Sequence, residues 1–226
     1  MVSAILIIDL FLPDRRRIWT YVLTQATLIV TAGFILVAGG EDVAYTFNGM
    51  FVGDPMSDVL KVACCLAVAV MLAYSRSYAS VRGIYRGEFF VLSLFSTLGM
   101  MIMISANHFL VLYLGLELMS LSLYAMVALP RDSAISTEAA MKYFVLGALS
   151  SGMLLYGMSM IYGATGSLEL TEVARRGIGI SVVCPGYVRS PMTARNDFPM
   201  PFLIDAERAA DIVARGLARN RARIVF

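Results

Sequence analysis

The chain has 226 residues, of which 59% are hydrophobic and 15% charged, with a mean hydropathy of +0.76. A soluble domain carries about 25% charged residues, so this composition excludes a soluble globular protein and defines an integral membrane one. The net charge of +2 conceals two compositions: residues 1–172 hold 9 Lys/Arg against 12 Asp/Glu, a net of −3, and residues 173–226 hold 9 Arg against 4 Asp/Glu, a net of +5.

About 20 apolar residues cross the hydrocarbon core as a helix. Taken in chain order, residues 1–12 form an apolar run too short to span, about 18 Å as a helix. Asp9 and the lack of a basic leader argue against a signal peptide, so the run reads as the second half of a helix that starts upstream. Full-length spans are expected at 18–38, 56–74, 89–106, 109–129 and 138–164, with 39–55 as a polar loop. The fold class is therefore an all-α polytopic membrane helix bundle, with five full segments and a short N-terminal one, followed by a small incomplete α/β tail. Asp9, Asp58, Lys61 and Glu88 lie near segment ends, where long side chains reach the interface as anchors. Gly147, Ser151, Gly152 and Gly157 are small residues that let neighbouring helices approach.

Connection charges orient these spans. Arg15, Arg16 and Arg17, then Arg76, Arg82 and Arg86, and finally Arg131 mark alternate connections, whereas 39–55 carries acids only. Positive-inside bias puts the basic connections of a multi-pass protein in the cytoplasm and the tail on the opposite, periplasmic side. The lipid bilayer is the expected surrounding, and no nucleic-acid partner is expected. His108 reads as an interfacial turn residue. Adjacent Cys64 and Cys65 read as small apolar residues, and the methionines as fillers of the bundle. No residue spacing suggests a metal site.

Two charges stand inside spans. A carboxylate at the depth of Glu117 costs about 2.5–3.5 kcal/mol on insertion scales, which marks it as functional. Lys142 occupies the next span, and a short turn makes the two helices antiparallel neighbours. Their depths then differ by roughly 10 Å, and at an effective dielectric near 20 their attraction is about 1.5 kcal/mol. That suits stepwise proton transfer better than a locked pair. The alternative is a static pair that fixes helix register.

The stretches Gly115-Leu116-Glu117-Leu118-Met119-Ser120-Leu121, Glu138-Ala139-Ala140-Met141-Lys142-Tyr143-Phe144-Val145-Leu146-Gly147-Ala148 and Ser150-Ser151-Gly152 resemble subunit N of the proton-pumping NADH:quinone oxidoreductase, bacterial respiratory complex I, an antiporter-like family. Tyr45 to Phe51 and Asp54 to Leu60 fit the same family less strongly, and the resemblance covers about residues 1–172. It implies Glu117 and Lys142 as the membrane acid and base of a proton half-channel. It also implies the other membrane subunits of complex I as partners. NADH and quinone would belong to the parent complex, with no cofactor bound by this chain and no complete catalytic site in it. The family's later helices are not matched, so activity of the chain alone is not expected.

Residues 173–226 read as a different part. Ile178 to Cys184 is a short β-type run, Pro185-Gly186 a turn, and 205–220 an amphipathic helix with Ala209, Ile212, Val213 and Leu217 on one side. The stretch Gly177 to Met192 resembles the C-terminal part of short-chain dehydrogenases. That likeness implies a vestigial nicotinamide contact at Val188 and Ser190, and the runner-up reading of a membrane-anchored NAD(P)-dependent oxidoreductase. No Gly-rich turn follows a strand here, and neither Lys61 nor Lys142 has a tyrosine four residues before it. With one strand and one or two helices, the tail cannot build the parent sheet. Both resemblances break off inside their folds near 171–176, the pattern of a chimeric or truncated chain.

Overall fold

The computed structural model describes residues 2–10, 18–40, 42–176, 182–184, 188–189, 203–219 and 223–225. The chain separates into two compact units, Met1–Thr171 and Glu172–Phe226.

The first unit holds α1 (Val2–Leu10), α2 (Ile18–Ala38), β1 (Ala44–Thr46), β2 (Phe51–Gly53), α3 (Pro55–Val81), α4 (Gly87–Ile104), α5 (Phe109–Val127) and α6 (Ala134–Thr165), and α7 (Leu170–Arg175) begins at its end. Among the described residues, the five helices α2 to α6 are long and apolar enough to cross a membrane. The span 18–38 coincides with α2, and the other four shift at their ends for local reasons. Asp54 caps α3 by accepting the Ser57 amide while the Ser57 hydroxyl accepts the Asp54 amide, and Pro55 fills the first helical position. The helix then continues past Tyr74, carrying Arg76 over the Tyr21 ring at 5.2 Å. Ser133 caps α6 through the Ser136 amide, so this helix starts four residues earlier than its apolar run. It ends at Gly166, whose φ of 69° is left-handed.

Several serine and threonine hydroxyls within the spans bond backward to their own helix. Thr24 donates to the Thr20 carbonyl, Ser93 to Phe89, Thr97 to Ser93 and Ser122 to Leu118, at 2.7–2.8 Å. In a hydrocarbon surrounding this satisfies each hydroxyl without water.

The connection 39–55 is not a plain loop. β1 and β2 pair antiparallel, with Ala44 opposite Gly53 and Thr46 opposite Phe51, and Phe47, Asn48 and Gly49 turn the chain with φ of 50°, 56° and 82°. The hairpin is bound to the α4–α5 turn, because Val52 donates to the Ser105 carbonyl, Asn107 donates its amide to Met50, and the Asn107 side chain donates to Gly49. Phe51 lies over Lys61 at 5.5 Å. Lys61 is buried, 3.1 Å from Asp58 in its own helix. The reading of Lys61 as a side chain reaching out to the interface is therefore corrected: the hairpin closes over it, and Asp58 supplies the counter-charge.

The core joins α1 to α4. Ile5, Leu28, Ala32, Cys65, Leu72, Phe90, Val91 and Leu94 form one buried cluster. Cys64 and Cys65 pack their sulfurs against Met100 and Met101 at 3.8 and 3.9 Å, a contact between soft apolar groups. Asp9 accepts the Thr20 hydroxyl at 2.6 Å and lies against Gly87, where a Cβ would collide with its carboxylate. The N-cap of α4, Arg86, makes no side-chain capping bond, so Asp9 brings negative charge to that positive helix end.

In the second unit, β3 (Val182–Cys184) pairs parallel with β4 (Arg223–Val225), and α8 (Ala206–Ala218) lies between them in the chain. The sequence leads to one strand here, and among the described residues there are two; Arg223-Ile224-Val225 is too short an apolar run to announce itself. On α8, Ala209 and Gly216 are buried and Leu217, one turn after Val213 on the same side, is 54% exposed. Val188 bridges Ile204 in parallel, and Arg189 donates to the Ile204 carbonyl. Ser190 lies outside the described residues.

Helices α4 and α5 touch backbone to backbone. A Cβ on Gly99 would stand 2.6 Å from the Gly115 carbonyl, and one on Gly115 would stand 2.8 Å from the Gly99 carbonyl. Gly99→Ala is expected to lower stability by about 1–3 kcal/mol through overpacking. Gly152→Ala, with nothing within 4 Å, should be neutral or stabilising, by at most about 1 kcal/mol of helix propensity. Thermal melts of the two variants in the same micelles check the contrast.

The Ser57 hydroxyl, and then the Ser57 amide, hold the Asp54 carboxyl below its ordinary value of 3.8. A lowered folded value means that the cap's contribution is fully present above pH 3.8 and is lost as pH falls through the lower folded value. Asp54→Ala should therefore lower the melting midpoint near neutrality and flatten its fall in acid. An unchanged acid limb in the variant would show that this cap is not among its causes.

Candidate functional site

Glu117 and Tyr113 are four residues apart on α5, so they share one face. Gly115 lies between them and, at about 100° per residue, points to the other side. The backbone contact of Gly115 with α4 therefore turns Glu117 and Tyr113 away from α4 and toward α6. There the Ser151 hydroxyl donates to Glu117 Oε1 at 2.5 Å, and Tyr113 Oη and Ser151 Oγ share a hydrogen bond of 2.8 Å. Glu117 is half-buried. Further toward the C-terminus of α5, Tyr124 also meets α6. Its ring packs edge-on against Tyr143 and Phe144, at 4.6 and 5.9 Å, and its hydroxyl end fills the space over Gly147.

Lys142 takes a different place. Its ammonium bonds Glu138 Oε1 at 2.5 Å on the same helix, with both side chains about two-thirds exposed. Nine residues separate Lys142 from Ser151, which corresponds to half a turn around α6 and about 13 Å along it. The two sequence candidates thus lie on neighbouring helices but on different faces, each with its own partner. Sequence reasoning misses Ser151 and Tyr113 as partners of Glu117. The i, i+4 spacing of Tyr113 is a usable signal. Ser151 reads in the sequence as a small packing residue. Of the four such residues on α6, Gly147 and Ser151 meet α5, whereas a Cβ added to Gly152 or Gly157 would have nothing within 4 Å.

His108 caps α5, its Nδ1 accepting the Leu110 amide at 3.2 Å. The adjacent backbone ties the start of α5 to the end of α6, with Phe109 donating to Leu168 and Leu170 to Asn107. These bonds fix the height of α5 against α6, and with it the pairing of Glu117 and Ser151.

The chemistry of the site follows from its atoms. Ser151 and Tyr113 each carry a donor and acceptor sites, so the Ser151 hydroxyl that donates to an ionised Glu117 can instead accept from a protonated one and donate on to Tyr113, a rearrangement of hydrogen bonds with no net transfer. Lys142 is too far for a direct transfer, which needs hydrogen-bond contact of about 3 Å.

Residues 106–183 match the family described as NADH:quinone oxidoreductase/Mrp antiporter, transmembrane region. Bundle, membrane acid and family match together define an antiporter-type membrane subunit. The chain is 61% identical over 178 residues to NADH-quinone oxidoreductase subunit N of Nitrosomonas europaea, covering 77% of this chain and 36% of that relative. It is 57% identical over 196 residues to subunit N of Herminiimonas arsenicoxydans, covering 84% and 38%. Among solved structures it resembles a chain of respiratory complex I from Thermus thermophilus with bound aureothin, at 32% identity and a TM-score of 0.61, over 75% of this chain and 36% of that one. The likeness to a chain of the membrane-bound sulfane sulfur reductase, an archaeal respiratory membrane complex, is one of fold, at 21% identity and a TM-score of 0.56 over 77% and 37%. The chain belongs to the NADH-quinone oxidoreductase subunit N family and spans little more than a third of the length of these relatives. None of these relatives is a short-chain dehydrogenase, and that likeness of the tail rests on its own residues.

Ser151→Ala should remove the donor to Glu117 without disturbing the helix. In infrared spectra of the lipid-reconstituted chain, the protonated Glu117 carbonyl band should move to higher frequency. A band at the same position in Ser151→Ala would show that Ser151 does not hold this carboxyl.

Proposed function

We propose that the chain supplies part of a proton-translocating membrane subunit of respiratory NADH:quinone oxidoreductase. Glu117 is the group that takes up and releases the proton, and Lys142 modulates it. The observation that carries this reading is an ionisable acid inside a membrane helix, bonded to the Ser151 hydroxyl, which is itself bonded to that of Tyr113. A purely structural acid would be expected to meet a fixed cation; this one meets groups that both give and accept.

Direction follows from the same geometry. Tyr113 lies one turn nearer the His108 end of α5 than Glu117, whereas Lys142 lies toward the opposite end, where α6 begins. By the distribution of arginines, the His108 end is periplasmic and the Lys142 end cytoplasmic. Glu117 thus stands between a hydroxyl pair and a cationic group. Across about 13 Å the field of Lys142 at Glu117 is about 1 kcal/mol at an effective dielectric near 20. Glu138 offsets much of that field while it holds Lys142, so opening the Lys142–Glu138 pair would draw negative charge toward Glu117.

In this reading the partners are the other membrane subunits of complex I, and NADH and quinone are substrates of the parent complex, with no cofactor held by this chain. The division at 172/173, the periplasmic place of the tail, and a vestigial nicotinamide contact at Val188 and Ser190 stay as sequence-based expectations.

Glu117→Gln placed in intact subunit N, within the assembled oxidoreductase in proteoliposomes, should reduce protons moved per NADH oxidised while the assembled amount of complex is kept. Unchanged pumping would favour the register role, in which Glu117 only sets how α5 meets α6.

A further inference from the structure

The ends of α4 and α5 meet beside an apolar cavity that proton transfer does not use. The cavity measures about 390 Å³ and is lined by Leu6, Val91, Phe95, Ala125 and Leu129, among others, together with Glu88 and Arg131. That volume falls within the usual range for small-molecule sites, about 300–1,000 Å³. Glu88 is in the first turn of α4, and Arg131 lies just past the end of α5. From Glu88 to Phe95 the lining runs about 10 Å along α4, so the charges mark the helix-end side and the apolar wall extends toward the middle of the span.

The two charges are only loosely joined. Arg131 Nη2 and Glu88 Oε1 are 3.7 Å apart, with the side chains 74% and 44% exposed. A charge-assisted hydrogen bond is shorter, about 2.7–2.9 Å. A guanidinium has five donors in a fork suited to phosphate, so most of its capacity is uncommitted to Glu88. The site therefore offers a cation, an anion and a hydrocarbon groove, in that order from the membrane surface inward.

We propose that this groove binds phosphatidylethanolamine, with the lipid phosphate on Arg131, its ammonium on Glu88 and one acyl chain along Val91, Phe95, Ala125 and Leu129. Charge complementarity selects this headgroup. An anionic lipid such as phosphatidylglycerol would set a phosphate beside Glu88 with nothing to neutralise the carboxylate. A choline headgroup is cationic but has no N–H to donate. Ethanolamine brings one anion and one hydrogen-bonding cation at the spacing of a short linker. Nothing in this assignment depends on Glu117 being a proton carrier.

The test uses the full chain, purified in mild detergent and delipidated, then offered phosphatidylethanolamine, phosphatidylglycerol and phosphatidylcholine with the same acyl chains. Retained lipid is measured by native mass spectrometry. Phosphatidylethanolamine should be retained roughly tenfold over the other two, one charge-assisted contact being worth about a decade in affinity. Arg131→Gln should lose that preference, and Glu88→Gln should shift it toward phosphatidylglycerol. Ala125→Leu, which fills the groove without touching either charge, should lower retention of all three lipids together. If the charge variants fail to fold, the headgroup preference of the unaltered chain and the Ala125→Leu result decide. Equal retention of the three lipids would overturn the proposal. So would a photo-crosslinker at Leu92 that captures a polypeptide and no lipid in native membranes.

Discussion

The contact between the Gly99 and Gly115 backbones governs the rest of the membrane unit. It lets α5 lie directly on α4, which is itself held by the cluster around Phe90, Val91 and Leu94. It also sets the rotation of α5. With Gly115 facing α4, the positions two residues to either side face the opposite way, and these are Tyr113 and Glu117. A helix free to rotate by half a turn would place the carboxylate against α4, where backbone leaves no space. Here a missing side chain positions a membrane carboxylate.

How much of this is legible in the sequence varies with the physics that produces each element. Long apolar runs declare membrane helices because burial in hydrocarbon demands them, so all five spans are legible and only their capped ends move. The hairpin β1–β2 is not legible, since three-residue strands carry little pattern and its turn puts Phe47 and Asn48 at positive φ, where glycine is expected. Lys61 is misread because position along a helix says how deep a side chain starts but not what closes over it. The hairpin that buries it arrives from a segment that looks like a loop. Glu117 and Lys142 stand out by type and depth, but which face each occupies depends on Gly115 and on the height of α6, which no local pattern encodes.

Hydroxyls have two roles in the bundle. Thr24, Ser93, Thr97 and Ser122 bond to carbonyls one turn back and are thereby consumed. Ser151 bonds across to Glu117 and Tyr113 instead. The difference is one of available partners: a backward bond is open to any helical serine, so a serine that forgoes it needs a stronger acceptor nearby. A carboxylate is such an acceptor, since hydrogen bonds to charged groups are worth about 1.5–3 kcal/mol against about 1 kcal/mol for neutral ones. The departure of Ser151 from the pattern of its neighbours is thus itself a sign of the acid on the facing helix.

The same accounting separates Glu117 from Lys142. Lys142 is joined to Glu138 within one helix, so the pair carries no net charge and its cost on an apolar face is offset where it stands. Glu117 is joined to the neutral hydroxyl of Ser151, backed by that of Tyr113, so ionising it changes the net charge of its surroundings. Any movement that parts Lys142 from Glu138 changes the field at Glu117 without touching it. The two groups need not meet to be coupled, and the half-turn between Lys142 and Ser151 keeps them from neutralising each other. An acid locked to a lysine would be a strut; the proton-carrying role proposed for Glu117 calls instead for a neutral partner, and the Ser151 hydroxyl is one.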